Sequence, residues 1–259
     1  MQRIMLSTVF MTLAGCPQTA GAATLTQLQV QGHGSSATGC SYSDQITNLP
    51  ASSLADSRQC PIGSASSFAS FGVLGAAAGG MDGSGGLADA SFYDTLTITG
   101  GTGLGHLIMG FEVSGESTLQ CTNTPLVTCG GTVVVQIVAP GANKTVTRMI
   151  VGTPGIPIFQ TVDVVIDRSF QFGIPVDFSV DFSLSSGSFG VGMSLFSDFL
   201  DPLQPTSFEI TNSSGAPVAG AVVTSASGTN YQSAVVPEPA SWLLLAAGVS
   251  LVILRRQIN

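Results

Sequence analysis

Apolar and polar residues alternate with a period of two along much of the chain, as they do in β-strands that bury one face. In the clearest run, residues 174–185, every second residue is apolar, and Asp177 and Asp181 lie on the polar face. Three shorter apolar rows follow the same rule. They are Leu107, Met109, Phe111 and Val113; Val162, Val164 and Ile166; and Val191, Met193 and Leu195. Residues 132–139 are mostly apolar on both faces and predict a central strand.

Turn-forming residues separate these runs. The glycine-rich segment 99–105 lies between two alternating runs and predicts a hairpin loop. Residues 212–215 predict a turn between two later strands. About eight to ten strands, each polar on one face, predict an all-β fold, an antiparallel β-sandwich of jelly-roll type. Residues 63–86 are rich in small side chains and poorly patterned, and they predict a loop or a loosely packed edge.

The composition agrees with an all-β protein, and the charge balance argues against one class of binding partner. Only 8% of the 259 residues are charged, against roughly a quarter in an average soluble domain, and 32 are glycine. Acidic residues outnumber basic ones by 15 to 7, which gives a formal net charge of −8. A surface of this sign repels phosphate backbones, which argues against a nucleic-acid partner.

The first 22 residues have the pattern of a secretory signal peptide. Arg3 precedes an apolar stretch at residues 4–14, and Ala20-Gly21-Ala22 provides an A-x-A-like cleavage site. A second processing route stays open. Residues 13–16, Leu-Ala-Gly-Cys, are similar to a lipobox, in which Cys16 would carry a lipid. The A-x-A route is favoured, because a lipid would duplicate the membrane anchor that the C-terminal apolar segment, described next, is expected to provide.

The C-terminus carries a short apolar segment, predicted as a helix over residues 241–254 and followed by Arg255 and Arg256. A helix that spans a bilayer needs about 20 apolar residues, so this one is short for the purpose. The positive-inside tendency would place the two arginines in the cytoplasm and the preceding chain outside.

This tail resembles a known sorting signal. Pro237, Glu238 and Pro239, a short apolar helix and the terminal Arg255-Arg256 occur in the order found in bacterial PEP-CTERM proteins. The resemblance implies recognition by an exosortase-type membrane enzyme. It also implies temporary anchoring in the inner membrane of a Gram-negative bacterium, delivery to the cell surface or extracellular matrix, and association with exopolysaccharide. The expected organisation is a signal peptide at 1–22, an extracytoplasmic sandwich at 23–234 and a sorting segment at 235–259.

Five cysteines occur, and removal or lipidation of Cys16 leaves four in an exported chain. Three pairings are available in principle. The local one, Cys40 with Cys60 and Cys121 with Cys129, is favoured, and each bridge would add about 2–3 kcal/mol of stability. No C-x-x-C pair or companion histidine supports a metal or redox site, so no metal and no cofactor is expected.

Catalytic signatures are missing from the sequence. It has neither H-E-x-x-H nor G-x-S-x-G nor a P-loop, and its two histidines, His33 and His106, are expected to be exposed polar residues. Two aspartate pairs have i, i+4 spacing. If the two strands that carry them were neighbours, the four carboxylates could form an acid/base or cation site. The pairs are Asp163 with Asp167 and Asp177 with Asp181. The favoured interpretation is a solvated acidic face. Residues 81–89 only partly match a calcium loop.

The sequence therefore predicts a non-enzymatic, exported surface or matrix protein that is sorted by its C-terminal signal. One alternative is a carbohydrate-binding module for exopolysaccharide. It is disfavoured because the single Trp lies in the tail and only three Tyr occur. The other alternative is a secreted hydrolase that uses paired aspartates.

Overall fold

The computed structural model describes residues 26–34, 40–47, 53–122, 129–151 and 154–232, and these contain thirteen strands and no helix. The strands are β1 (Gln27–Gly34), β2 (Ser41–Thr47), β3 (Ser53–Gln59), β4 (Gly63–Ser70), β5 (Val73–Met81), β6 (Gly85–Thr99), β7 (Leu104–Cys121), β8 (Gly130–Ala139), β9 (Ala142–Val151), β10 (Pro157–Gln171), β11 (Val176–Ser188), β12 (Met193–Asn212) and β13 (Val222–Ser225). Within these ranges no helix has the length and apolar character needed to cross a membrane. The predicted signal peptide and C-terminal helix lie outside the described residues.

Two antiparallel sheets face each other, as a β-sandwich requires. Sheet A has the order β2-β1-β6-β11-β8-β9, with β13 added beside β6, and sheet B has the order β10-β7-β12-β5-β4-β3. The core lies between the sheets and is built from the inward-facing residues of both. Its largest fully buried side chains include Phe92, Phe111, Phe178, Phe182 and Phe199. The predicted all-β sandwich is confirmed at this level.

Some of the predicted apolar rows are buried in the core, and parts of others are exposed. Those of β7 and β10, together with most of the β11 row, are buried in the core as predicted. Ile174 is 53% exposed and Val191 is 81% exposed, because both lie in connections outside the strands. The expectation that they belong to inward rows is wrong. β8 is an interior strand as predicted, but it alternates between buried and half-buried residues and so buries one face.

Residues 63–86, expected as a loop or loose edge, instead form β4, β5 and the start of β6. The small side chains are needed because the two sheets approach each other closely here. A Cβ on Gly86 would collide with the carbonyl oxygen of Ser64 and would lie 2.8 Å from that of Gly79. A Cβ on Gly80 would collide with the backbone of Ser84.

The predicted hairpin at residues 99–105 is also wrong. The segment joins β6 in sheet A to β7 in sheet B, so it crosses between the layers instead of pairing its flanking strands. Both flanking runs alternate as a hairpin would, but each pairs with strands distant in sequence. β6 lies between β1 and β11, and β7 lies between β10 and β12.

Candidate ligand-binding cleft

An irregularity in β12 shapes the outer face of sheet B, the face directed away from sheet A. In the pairing of β12 with β7, Asp198 lies opposite Glu116, and the next regular pair is Gln204 with Glu112. Six residues of β12 therefore advance against four of β7, so two are extra. Pro202 lies in this bulge and, like any proline, has no N–H for a ladder hydrogen bond.

Beside the bulge is an open cleft of about 530 Å³ that lies on β7, β10 and β12. Its lining includes Ser114, Glu116, Phe159, Gln160, Asp198 and Leu200. The volume lies within the range of about 300–1,000 Å³ that small-molecule sites occupy.

Two carboxylates face this cleft from opposite strands. Glu116 is exposed on β7, and Asp198 is half-buried directly across from it on β12. The backbone N–H of Leu200 donates a hydrogen bond of 2.9 Å to Asp198 Oδ1, which holds that carboxylate beside the bulge. No Lys or Arg is among the described residues that line the cleft.

Apolar side chains stand beside the carboxylates. Phe159 on the edge strand β10 is 76% exposed, and Leu200 in the bulge is 42% exposed. In the register of β10 with β7, Phe159 lies opposite Glu116. An exposed aromatic ring therefore adjoins a carboxylate in the same cleft.

Gln160 connects the cleft to the interior. Its Nε2 donates a hydrogen bond of 3.1 Å to Ser117 Oγ. Buried hydroxyls continue this chain from Ser117 to Ser197 at 2.9 Å and from Ser197 to Ser186 of sheet A at 3.1 Å. The Gln160 Oε1 atom is buried and has no hydrogen-bond partner among the described residues. Gln160 has the same parity as the buried Val162 and Val164, so its side chain lies on the core side of sheet B, behind the cleft.

A second open cleft, of about 460 Å³, continues along the same face and includes Phe196, Gln59, Gln120 and Thr118 in its lining. Phe196 is 47% exposed and lies two residues before Asp198 on β12, so the two clefts are neighbours. The floor is formed partly by Gly79, where a Cβ would lie 2.9 Å from the Phe196 ring.

Sheet B is acidic on this face. Exposed or half-buried carboxylates on its three adjacent strands β10, β7 and β12 are those of Asp163, Asp167, Glu112, Glu116, Asp198 and Glu209. The one Arg or Lys in these strands, Arg168, alternates with the buried Ile166 and Phe170 and so belongs to their inward-facing row. His106 Nδ1 lies 2.9 Å from Asp167 Oδ1.

The predicted aspartate pairs do not meet. Asp163 and Asp167 lie on β10 in sheet B, whereas Asp177 and Asp181 lie on β11 in sheet A, because the two strands belong to different layers. The acidic neighbour of Asp181 is Asp89 on β6. Burial is the main cause that raises the pKa of both carboxyls, and the Asp89 charge raises the pKa of Asp181 further.

The other predicted sites have structural roles or lie outside the described residues. His33 is exposed on β1, and Asp82 of the calcium-like segment accepts a 2.8 Å hydrogen bond from the Gly192 N–H. In the part of the chain that is described, no cluster of three or more His, Cys, Asp or Glu could hold a metal ion. The residues that the structure leaves undescribed include Cys16, Pro237, Glu238, Pro239, Arg255 and Arg256.

The favoured disulfide pairing is confirmed. Cys40 bonds to Cys60 with a Cα–Cα distance of 6.0 Å, and Cys121 bonds to Cys129 with a distance of 6.3 Å. Cys40 precedes β2 of sheet A and Cys60 follows β3 of sheet B, while Cys121 ends β7 of sheet B and Cys129 precedes β8 of sheet A. Both bridges therefore tie one sheet to the other.

The Trp and Tyr content of the chain does not predict the cleft, because the aromatic side chain that lines it is that of Phe159. One sequence signal does indicate it. Pro202 and Pro205 interrupt a long alternating run, which indicates a bulge. Phe159 follows a Pro-Gly-Ile-Pro-Ile segment, but alternation alone does not show that it faces water.

No protein-family model and no curated protein matches the chain. Among solved structures it is similar to TmCBM61 in complex with beta-1,4-galactotriose, at 7% identity and a TM-score of 0.20, over 64% of this chain and 91% of that one. It is also similar to Family 16 Carbohydrate Binding Module-2, at 12% identity and a TM-score of 0.18, over 54% of this chain and 86% of that one. TM-scores this low do not establish a function.

Proposed function

We propose that this chain is an exported, non-enzymatic surface or matrix protein whose β-sandwich binds a polysaccharide on the outer face of sheet B. The observation that carries the proposal is the cleft on β7, β10 and β12, where the exposed ring of Phe159 adjoins the carboxylates of Glu116 and Asp198. Of the functions considered for this chain, this arrangement favours the carbohydrate-binding alternative.

The chemistry of a sugar matches these groups. A pyranose ring has an apolar face of C–H groups, which packs on an aromatic ring, and a rim of hydroxyls, which donate to carboxylate and amide oxygens. Phe159 supplies the ring, and Glu116 and Asp198 supply acceptors. The neighbouring cleft at Phe196 extends the same face, so more than one sugar unit would fit.

The exposed aromatic side chains also favour a binding role over a merely solvated face. Phe159 and Phe196 are 76% and 47% exposed on a surface that carries several carboxylates. Exposed apolar groups that are clustered and rimmed by polar residues are typical of interaction sites.

Binding is tested by retention of the purified sandwich on a panel of immobilised neutral, amino and acidic polysaccharides. The Phe159→Ala variant is expected to weaken retention about tenfold or more, in the way that loss of an anchor residue does. Val165→Ala is the matched control, because Val165 is 61% exposed on the same strand but lies outside the cleft. Failure of every polysaccharide to retain the wild type would refute the proposal.

The proposal that the protein is not an enzyme is tested by a separate measurement. The two predicted aspartate pairs lie in different sheets and cannot form one acid/base site, although Asp181 lies near Asp89. Glu116 and Asp198 are nevertheless two acids in one cleft. Any retained polysaccharide should therefore be assayed for new reducing ends. We expect none; release that disappears in Glu116→Gln would instead identify a glycoside hydrolase.

Sorting through the C-terminal signal is the second part of the proposal, and it is supported by the sequence of residues 235–259 alone. Mass spectrometry of the mature protein is compared between hosts with and without an exosortase. The form that lacks Arg255 and Arg256 is expected only where the exosortase is present. Retention of both arginines in both hosts would contradict sorting and leave polysaccharide binding unaffected.

A further inference from the structure

We infer that the cleft on β7, β10 and β12 selects polysaccharides that carry free amino groups over neutral, N-acetylated or uronic-acid polymers. This inference rests on the proposed polysaccharide binding and names the class of sugar that the same site would take.

The negative charge of the cleft is uncompensated. Glu116 and Asp198 are directly opposite on antiparallel strands, where Cα atoms are about 4.5–5.5 Å apart. Like charges in this position repel each other, and no Lys or Arg lines this cleft among the described residues. An ammonium group between the two carboxylates would supply the missing positive charge.

The hydrogen-bonding groups of the cleft are mostly acceptors. Glu116 and Asp198 offer only acceptors when they are ionised. Gln160 uses its Nε2 on the buried Ser117 and so offers the cleft no free donor. The Ser114 hydroxyl is already within 3.1 Å of that of Thr161. The cleft therefore offers mainly acceptors, and a sugar ammonium brings three donors where a hydroxyl brings one.

The surroundings favour the same ligand. Asp163, Asp167, Glu112 and Glu209 extend the negative charge beyond the cleft over three adjacent strands. Such a surface attracts polycations and repels uronate or sulfate groups. Phe159, which is 76% exposed, provides an aromatic face for the apolar side of the sugar and for its ammonium group. The cleft volume of about 530 Å³ fits a sugar unit better than a lone cation.

The test uses glucosamine polymers of one length and graded N-acetylation, with a polyuronate and polylysine as further probes. Affinity is expected to fall about tenfold or more from the deacetylated to the fully acetylated polymer, and the polyuronate should not bind. The isosteric variants Glu116→Gln and Asp198→Asn should remove most of that preference. Thermal unfolding of each variant checks that it is folded.

The control is the Glu112 and Asp163 pair. These residues are also directly opposite each other on the same face, but they do not line the cleft. Glu112→Gln and Asp163→Asn remove the same amount of charge and should keep the preference for amino groups. If they abolish it equally, or if polylysine binds as tightly and is insensitive to Phe159→Ala, general surface charge is responsible and the inference is wrong.

The inference and the proposed function fail differently. Equal affinity for acetylated and deacetylated polymers, lowered in both cases by Phe159→Ala, would overturn the amino-sugar inference and leave polysaccharide binding in place. Absence of binding to every polymer would overturn both.

Discussion

The hydroxyl of Tyr231 donates a hydrogen bond of 2.9 Å to the carboxylate of Asp94, and both residues are almost fully buried. Asp94 also accepts hydrogen bonds from the N–H of Thr95, at 2.8 Å, and from the N–H and hydroxyl of Ser227, at 3.1 and 2.5 Å. A buried charge is tolerated only when it is well bonded. The donors of Ser227 and Tyr231 attach the last described segment of the chain to β6 of sheet A.

Replacement of Tyr231 by Phe should lower the free energy of unfolding by about 1.5–3 kcal/mol, since a hydrogen bond to a buried charged group is lost. Denaturant unfolding measures the change. Tyr93→Phe is the control. The Tyr93 hydroxyl also bonds a carboxylate, that of Asp177, but Tyr93 is only half-buried, so its loss should be below about 1 kcal/mol. Equal losses in the two variants would show that the Asp94 bond contributes no special stability.

Gly86→Ala should be strongly destabilising, by about 2 kcal/mol or more, because the added Cβ collides with backbone atoms of Ser64 and Gly79 that have little freedom to move. Gly103→Ala is the matched control. Gly103 has a φ of 75° and open space around its Cβ position, so Ala there should cost only about 1 kcal/mol of backbone strain. Thermal unfolding of both variants decides the order, and a milder effect at Gly86 would contradict the close approach of the sheets.

The two disulfides should differ modestly in their contributions. Removal of the Cys40–Cys60 bridge, which spans 20 residues, should cost about 3 kcal/mol on the loop-entropy estimate. Removal of the Cys121–Cys129 bridge, which spans 8 residues, should cost about 2.5 kcal/mol. Paired Cys→Ala variants, compared by denaturant unfolding without reductant, measure both. Full stability in either double variant would contradict the proposed bracing of the sheets.

Asp89 and Asp181 should make stability depend on pH. Both folded-state pKa values are raised above the ordinary 3.8, chiefly by burial. The stability that protonation of these groups provides is therefore complete below about pH 3.8 and is lost as pH rises through the raised pKa values. Asp181→Asn should flatten this part of the curve of unfolding free energy against pH. Ser179→Asn, on the same face of β11, removes no titrating group, so an equal flattening there would contradict the assignment.

Much of the secondary structure follows from alternation, since residues two apart lie on one face of a strand whatever its neighbours are. The buried row from Leu107 to Val113 is an example. The disulfide pairing was also predictable, because the partners are close in sequence. The hairpin expectation at residues 99–105 failed because alternation shows which face of a strand is buried but not which strand lies beside it.

The sequence by itself determined an all-β chain in which most strands have one apolar face, and an acidic net charge; it favoured the two local disulfides among three possible pairings. Tertiary structure alone decided which layer each strand joins, and this separated Asp163 from Asp177 and brought Asp181 near Asp89. The tertiary structure also determined which residues meet in the cleft. Glu116 and Asp198 are 82 positions apart in the chain and become opposite residues only through the pairing of β7 with β12. Strand pairing across such distances depends on the packing of the whole sandwich, which no local pattern records.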